Sequence, residues 1–226
     1  MRENTTILLV GVSLCFFTCQ SPPNQYTVLG KSSVSDKDTI SVSDLPDSIF
    51  VKVDLVDLQI INQMVYATDQ NFTHQIIYPC AACYLRNEVA HSLIKAQALA
   101  MKQNLRLIVF DCYRPLKYQQ KMFDLVQDPN YVANPQKGSK HNRGTAVDVG
   151  LADMDGHALD MGTEFDDFTE KSHYQAEGLT TEQIKNRKIL RDLMLAAQFE
   201  PYEKEWWHFN HANSIFPLSN FQWECQ

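Results

Sequence analysis

The sequence predicts an α+β domain, and three observations lead there. Two long segments repeat apolar residues at helical spacing, several short apolar runs read as strands, and the two kinds do not follow regular βαβ alternation. The chain has 226 residues with a net charge of -7 and no basic stripe, which argues against nucleic acid as a partner. No internal repeat is present.

Taken in order, the chain opens with Arg2 ahead of an apolar run, Ile7 to Phe17, that is too short to span a bilayer. It is followed by Thr18-Cys19-Gln20, so residues 1–19 read as an export signal, with Cys19 as the acylated first residue of a lipoprotein. That reading places the protein in the periplasm or cell envelope and makes a membrane its partner through a lipid. Phe16 and Phe17 stand where leucine and a small residue are usual, which keeps open cleavage without lipidation and an uncleaved anchor. Residues 20–48 are rich in Ser, Asp and Pro and read as a flexible tether. Residues 49–226, about 180 in number, suffice for one domain with a single core.

Within that domain, Leu85, Val89, Leu93, Ala96 and Ala100 predict a helix from Tyr84 to about Gln103. Leu105 to Phe110 is an apolar strand. Pro115 forbids a helical conformation at Arg114 and suits the start of a helix carrying Leu116, Met122, Phe123 and Val126, so Arg114 falls at a strand-to-helix junction. Asn142-Arg143-Gly144 reads as a turn. If Thr145 to Leu151 is a strand, its period of two places Ala146, Asp148 and Gly150 on one face and Val147, Val149 and Leu151 on the core face. Thr180-Thr181-Glu182-Gln183 is a capping box, opening a helix whose apolar side is Ile189, Leu190, Leu193 and Met194. Trp206 to Phe209 is the last strand, with His208 opposite Trp207 and Phe209. A regular strand would turn Glu205 away from His208, so Glu205 must precede the strand proper or sit at a bulge.

Two stretches carry chemistry: Ser139-Lys140-His141-Asn142-Arg143-Gly144-Thr145-Ala146-Val147-Asp148 and Glu205-Trp206-Trp207-His208. They supply two imidazoles, a carboxylate, and a second carboxylate three residues from one imidazole. A hydrolytic zinc centre needs three ligands with one open position, and a spare carboxylate can take a proton from the attacking water. A lone His or a turn-capping Asp is more often a satisfied polar residue, so the weight lies on the combination. His74, His91, His157, His173 and His211 fit no ligand position and read as surface residues or as residues that support the ligands from behind. Outside the signal lie Cys80, Cys83, Cys112 and Cys225. No redox βαβ pattern flanks Cys80-Ala81-Ala82-Cys83 and no second CxxC completes a metal set, which leaves a structural disulfide or buried thiols, with the pairing open.

The pattern Ser-x-His-x-x-Gly-x-Ala-x-Asp followed by Glu-x-x-His resembles the zinc peptidases of the lysostaphin, D-Ala-D-Ala metallopeptidase and hedgehog group. Tyr66-Ala67-Thr68 with Asn71-Phe72, Asp111-Cys112-Tyr113-Arg114-Pro115 and Met161-Gly162-Thr163-Glu164-Phe165-Asp166 narrow the resemblance to D-alanyl-D-alanine dipeptidases of the VanX type. It runs from about Phe50 to the region of Phe216. It implies a mainly antiparallel sheet carrying one zinc ion, with flanking helices. It further implies His141, Asp148 and His208 as the zinc ligands, Glu205 as general base and later proton donor to the leaving amine, and Arg114 as the stabiliser of the tetrahedral intermediate. Asp166 would hold the free ammonium of a D-Ala-D-Ala substrate, although Asp160, Glu164 and Asp167 nearby make a solvated acidic loop the competing reading. Ser139 and Tyr66 would line the substrate pocket, Ser139 toward the terminal carboxylate. The implied function is hydrolysis of D-alanyl-D-alanine in peptidoglycan precursor metabolism or recycling. A D,D- or L,D-carboxypeptidase trimming stem peptides is the enzyme alternative and would need an open cleft in place of the Asp166 contact. A hedgehog-like zinc-containing binding protein is the non-enzymatic one, against which Glu205 and Arg114 weigh because both serve a transition state.

Overall fold

A computed structural model describes residues 45–128 and 131–225. The expected signal with Cys19, and residues 20–44 of the expected tether, lie outside the described residues. Among the described residues no helix is long and apolar enough to cross a membrane.

The main sheet has five strands. In chain order these are β2 (Ile61–Asn62), β4 (Arg106–Asp111), β5 (Ala146–Ala152), β6 (Phe199–Tyr202) and β7 (Glu205–His211), and in space they run β2-β4-β5-β7-β6. Only β2–β4 is parallel; the other three pairings are antiparallel, as the resemblance implied. A two-stranded antiparallel ribbon pairs β1 (Phe50–Lys52) with β3 (Tyr84–Arg86). The helices are α1 (Asn87–Met101), α2 (Leu116–Val126) and α3 (Thr181–Ala196).

Helices α1 and α3 pack on each other, α1 against β4 and α3 against β5 and β6. Leu107 pairs in register with Leu151 and Val109 with Val149, and all four side chains are buried. Between them, on the other face, Ile108 pairs with Gly150. A Cβ at Gly150 would meet the Phe110 ring at 3.0 Å, so any larger residue there would press on that ring. Every residue of β5 is buried, since helices cover one face and the site loops the other.

The expected helix from Tyr84 is corrected at its start. Tyr84 to Arg86 are a strand paired with Phe50 to Lys52, and the helix begins at Asn87. Leu85 satisfies a helical period and a buried strand equally, and the tertiary pairing decides between them. The capping box at Thr180 forms, with Gln183 N–H donating to Thr180 Oγ1 at 3.2 Å and Thr180 N–H to Gln183 Oε1 at 2.9 Å. The cysteines pair as Cys80–Cys225 and Cys83–Cys112, which decides for disulfides over thiols.

Candidate metal centre and active site

Three adjacent strands bring the site together in one row. Asp111 on β4 is the register partner of Asp148 on β5, and Asp148 is the partner of His208 on β7. His141 enters from a 3-10 turn, His141–Arg143, that ends at Gly144 with φ 74°. Gly144 is required twice, by that left-handed backbone and because a Cβ would meet Phe50 at 2.5 Å.

His141 Nε2 lies 3.1 Å from His208 Nδ1 and 3.3 Å from Asp148 Oδ1, and His208 Nδ1 lies 3.0 Å from Asp148 Oδ1. Tetrahedral bonds of about 2.0–2.2 Å place ligand atoms about 3.3 Å apart, so this triangle has the size of one face of a zinc tetrahedron. The other imidazole nitrogens face oxygen acceptors, His141 Nδ1 on the Cys112 carbonyl at 2.7 Å and His208 Nε2 on Asn210 Oδ1 at 3.0 Å. Those acceptors keep protons on the outer nitrogens and leave the inner lone pairs free for a metal. The donor set therefore fits a metal ion. Burial raises the Asp148 carboxyl, but the adjoining His141 and His208 outweigh it and hold it below the usual carboxylate range.

Glu205 reaches His208 Nδ1 at 3.8 Å through Oε2. Pro201 pairs with Phe209, but the next residue, Tyr202, pairs with Glu205, so β7 is irregular here. That register shift is one of the two arrangements the sequence left open, and it goes with a Glu205 that lies on the side of His208. Burial raises the Glu205 carboxyl above its ordinary value against the pull of His208.

Arg114 lies three residues past the end of β4. Its Nη2 bonds Asp111 Oδ2 at 2.6 Å, its Nε lies 3.2 Å from both Asp111 Oδ2 and the Tyr78 hydroxyl, and its Nη1 donates to Gln119 Oε1 at 3.2 Å. Nε thus has two partners and each terminal nitrogen one, which leaves a further N–H on both terminal nitrogens of the guanidinium. Burial works against its charge, but Asp111 beside it raises the pKa well above the usual arginine value. Asp111, Tyr78 and Gln119 are functional partners that residue-type reasoning passed over. Asp111 stood inside the Asp-Cys-Tyr-Arg-Pro motif, but Tyr78 and Gln119 have no local signature.

Asp166 adopts φ 61°, and the Tyr66 hydroxyl donates to both its carboxylate oxygens at 3.0 and 2.9 Å. The Arg114 guanidinium stands 5.1 Å from the Tyr66 ring centre, so Tyr66 bridges Asp166 to the arginine. Burial pushes the Asp166 carboxyl well above its ordinary value, against the Tyr66 hydrogen bond. A cavity of about 1030 Å³, lined by Phe110, Gly150, Phe165, Asp166 and Trp206 among others, adjoins this group. Ser139 binds Asn142 Oδ1 through its N–H at 2.7 Å and its hydroxyl at 3.1 Å, which positions it at the entry to the His141 turn.

His211 is neither at the surface nor beside these ligands. It is buried between Ser92 at 2.9 Å and Ser214 at 2.6 Å, tying β7 to α1. His157 joins Asp153 and Asp155 on an exposed turn whose carboxylate Asp153 is taken up by local N–H groups.

A family model described as D-ala-D-ala dipeptidase matches residues 47–224. The D-alanyl-D-alanine dipeptidase of Escherichia coli (strain K12) is 34% identical over 185 residues, covering 81% of this chain and 95% of its own. That of Enterococcus faecium is 32% identical over 180 residues, covering 69% and 88%. A solved L,D-carboxypeptidase, LdcB, matches at 24% identity and a TM-score of 0.39 over 57% of this chain and 59% of its own. Because the family model spans every strand of the donor row and the turn bearing His141, this chain belongs to the D-Ala-D-Ala dipeptidase family.

Proposed function

We propose that this protein is a zinc metallopeptidase that hydrolyses D-alanyl-D-alanine to D-alanine in peptidoglycan precursor metabolism or recycling. The observation that carries the reading is the convergence of His141, Asp148 and His208 on one point, with Glu205 beside them and Arg114 held nearby. His141, Asp148 and His208 would hold a zinc ion, which would supply Lewis-acid polarisation of the scissile carbonyl and lower the pKa of water to about 7.

Glu205 takes a proton from the attacking water and later passes it to the leaving amine, a role suited to a carboxyl whose pKa burial has raised. Arg114 donates its remaining N–H groups to the oxyanion that develops on the substrate. Asp166 pairs with the free ammonium. Ser139 faces the terminal carboxylate, and Tyr66 fixes the Asp166 carboxylate. A fixed carboxylate one residue before the scissile bond selects a dipeptide over a longer chain.

The test compares D-Ala-D-Ala, L-Ala-L-Ala, N-acetyl-D-Ala-D-Ala and a stem pentapeptide with purified protein. Turnover restricted to the free D,D-dipeptide is expected. Efficient cleavage of the acetylated dipeptide or the pentapeptide transfers the assignment to a carboxypeptidase.

We also infer export to the cell envelope with Cys19 as a lipid anchor. Two disulfides in the domain support an oxidising compartment. Cys19→Ala should release the protein from membranes with activity intact, and failure of labelled fatty acid to enter the wild type removes the anchor.

A further inference from the structure

We propose that the Cys83–Cys112 disulfide is a positioning element of the metal centre, holding in place the carbonyl that orients His141; this rests on the zinc reading above. The Cys112 carbonyl accepts from His141 Nδ1 at 2.7 Å, and the Cys112 N–H donates to Asp111 Oδ1 at 2.9 Å. One residue therefore aims a metal ligand with its carbonyl and, with its amide, steadies the Asp111 carboxylate that holds Arg114. The register of β4 with β5 ends at Asp111 and Asp148, so the sheet ladder does not restrain the Cys112 peptide.

Two other connections do. Tyr113 N–H donates to the Tyr84 carbonyl at 3.0 Å, and the disulfide ties Cys112 to Cys83, immediately before β3. Cys83 is itself held from the far side, where Val53 N–H donates to its carbonyl at 2.9 Å. Both half-cystines are buried, with exposures of 1% and 0%. The covalent link thus fastens the carbonyl acting on His141 to the β1–β3 ribbon. Without it that peptide plane is held by the Tyr113 N–H bond to Tyr84, and the carbonyl that fixes the tautomer and aim of the imidazole is less firmly placed.

The second disulfide is a built-in control. Cys80–Cys225 spans 145 residues against 29 for Cys83–Cys112, and it pins the C-terminal segment, whose Trp223 packs on Tyr78 and Tyr84. Its loss should lower thermal stability at least as much as loss of the shorter link, since the loop it closes is longer.

The zinc dissociation constant is measured by competition with a chromophoric chelator on the wild type, Cys83→Ala/Cys112→Val and Cys80→Ala/Cys225→Ala, alongside melting curves. We expect zinc binding about 10–100-fold weaker in the first variant, the range for loss of a partner to a metal-binding histidine, and near the wild-type value in the second despite its lower Tm. Unchanged affinity in a cooperatively melting Cys83→Ala/Cys112→Val overturns the proposal, as does equal weakening in both variants. If that variant does not fold, a phosphine is applied to folded Cys80→Ala/Cys225→Ala, in which Cys83–Cys112 is the one disulfide left among the described residues. Zinc affinity must then fall on reduction, and constancy overturns the proposal. A wild type that binds no zinc at all overturns the metal reading and this inference with it.

Discussion

Glu205 and His208 are separated by two tryptophans, and both tryptophans are buried. A regular strand could not hide both and also turn Glu205 toward His208; the bulge in β7 reconciles the two demands. The proposed roles at this scale separate cleanly by experiment. Glu205→Ala should retain zinc by metal analysis and lose nearly all turnover, because the proposed base lies outside the donor triangle. Loss of zinc with it would reassign Glu205 as a ligand. Arg114→Ala should lower kcat by about 10²–10³-fold, the effect of removing one oxyanion donor. A raised KM at constant kcat would make Arg114 a ground-state binder instead.

At the scale of elements, α3 does more than cover the sheet. Arg187, only 2% exposed, donates to the carbonyls of Met161, His173 and Lys171 at 2.6, 2.7 and 3.0 Å. Gln183 and Asn186 hold Asp160. The helix thereby fastens the loop that delivers Asp166. Thr180→Ala removes only the helix cap and should cost about 1 kcal/mol, a Tm drop of about 2–4 °C for a domain of this size, with kinetics unchanged. Arg187→Met leaves three loop carbonyls without their donor. It should lower Tm further and raise KM for the dipeptide with kcat less affected, since the loop bears the proposed ammonium site. Equal kinetics in wild type and Arg187→Met would separate the loop from substrate binding.

Across the whole molecule, the donor row draws on residues far apart in sequence, so a metal there links the sheet to the turn before it. Chelation of zinc should lower Tm by about 5–10 °C when the metal had been present at about 100 times its dissociation constant, because binding to the native state alone then contributes about 2.7 kcal/mol. A melting curve indifferent to chelator and to added zinc would contradict a metal held by His141, Asp148 and His208.

Much of the site was legible in the chain because its parts are local. The turn at Gly144, the alternation along β5 that sets Asp148 against Val147 and Val149, the Arg114-Pro115 junction and the Thr180 capping box each depend on a few neighbouring residues, so residue type and spacing determine them. The start of α1 was not legible, because Leu85 suits either a helix or a buried strand until β1 arrives to pair with it. Nor were the partners of Arg114, since Tyr78 reaches it only after the chain folds back and Gln119, five residues on, is aimed at it by the turn into α2. The sequence by itself supplied the candidates for holding a metal and moving a proton, His141, Asp148, His208 and Glu205. Only the tertiary structure decided the register that sets Asp111, Asp148 and His208 in one row, the pairing of four cysteines and the outer partners that orient each imidazole. Apart from Asn210, two residues along β7 from His208, these are contacts between distant segments, and their geometry depends on strand order and packing that no local pattern encodes.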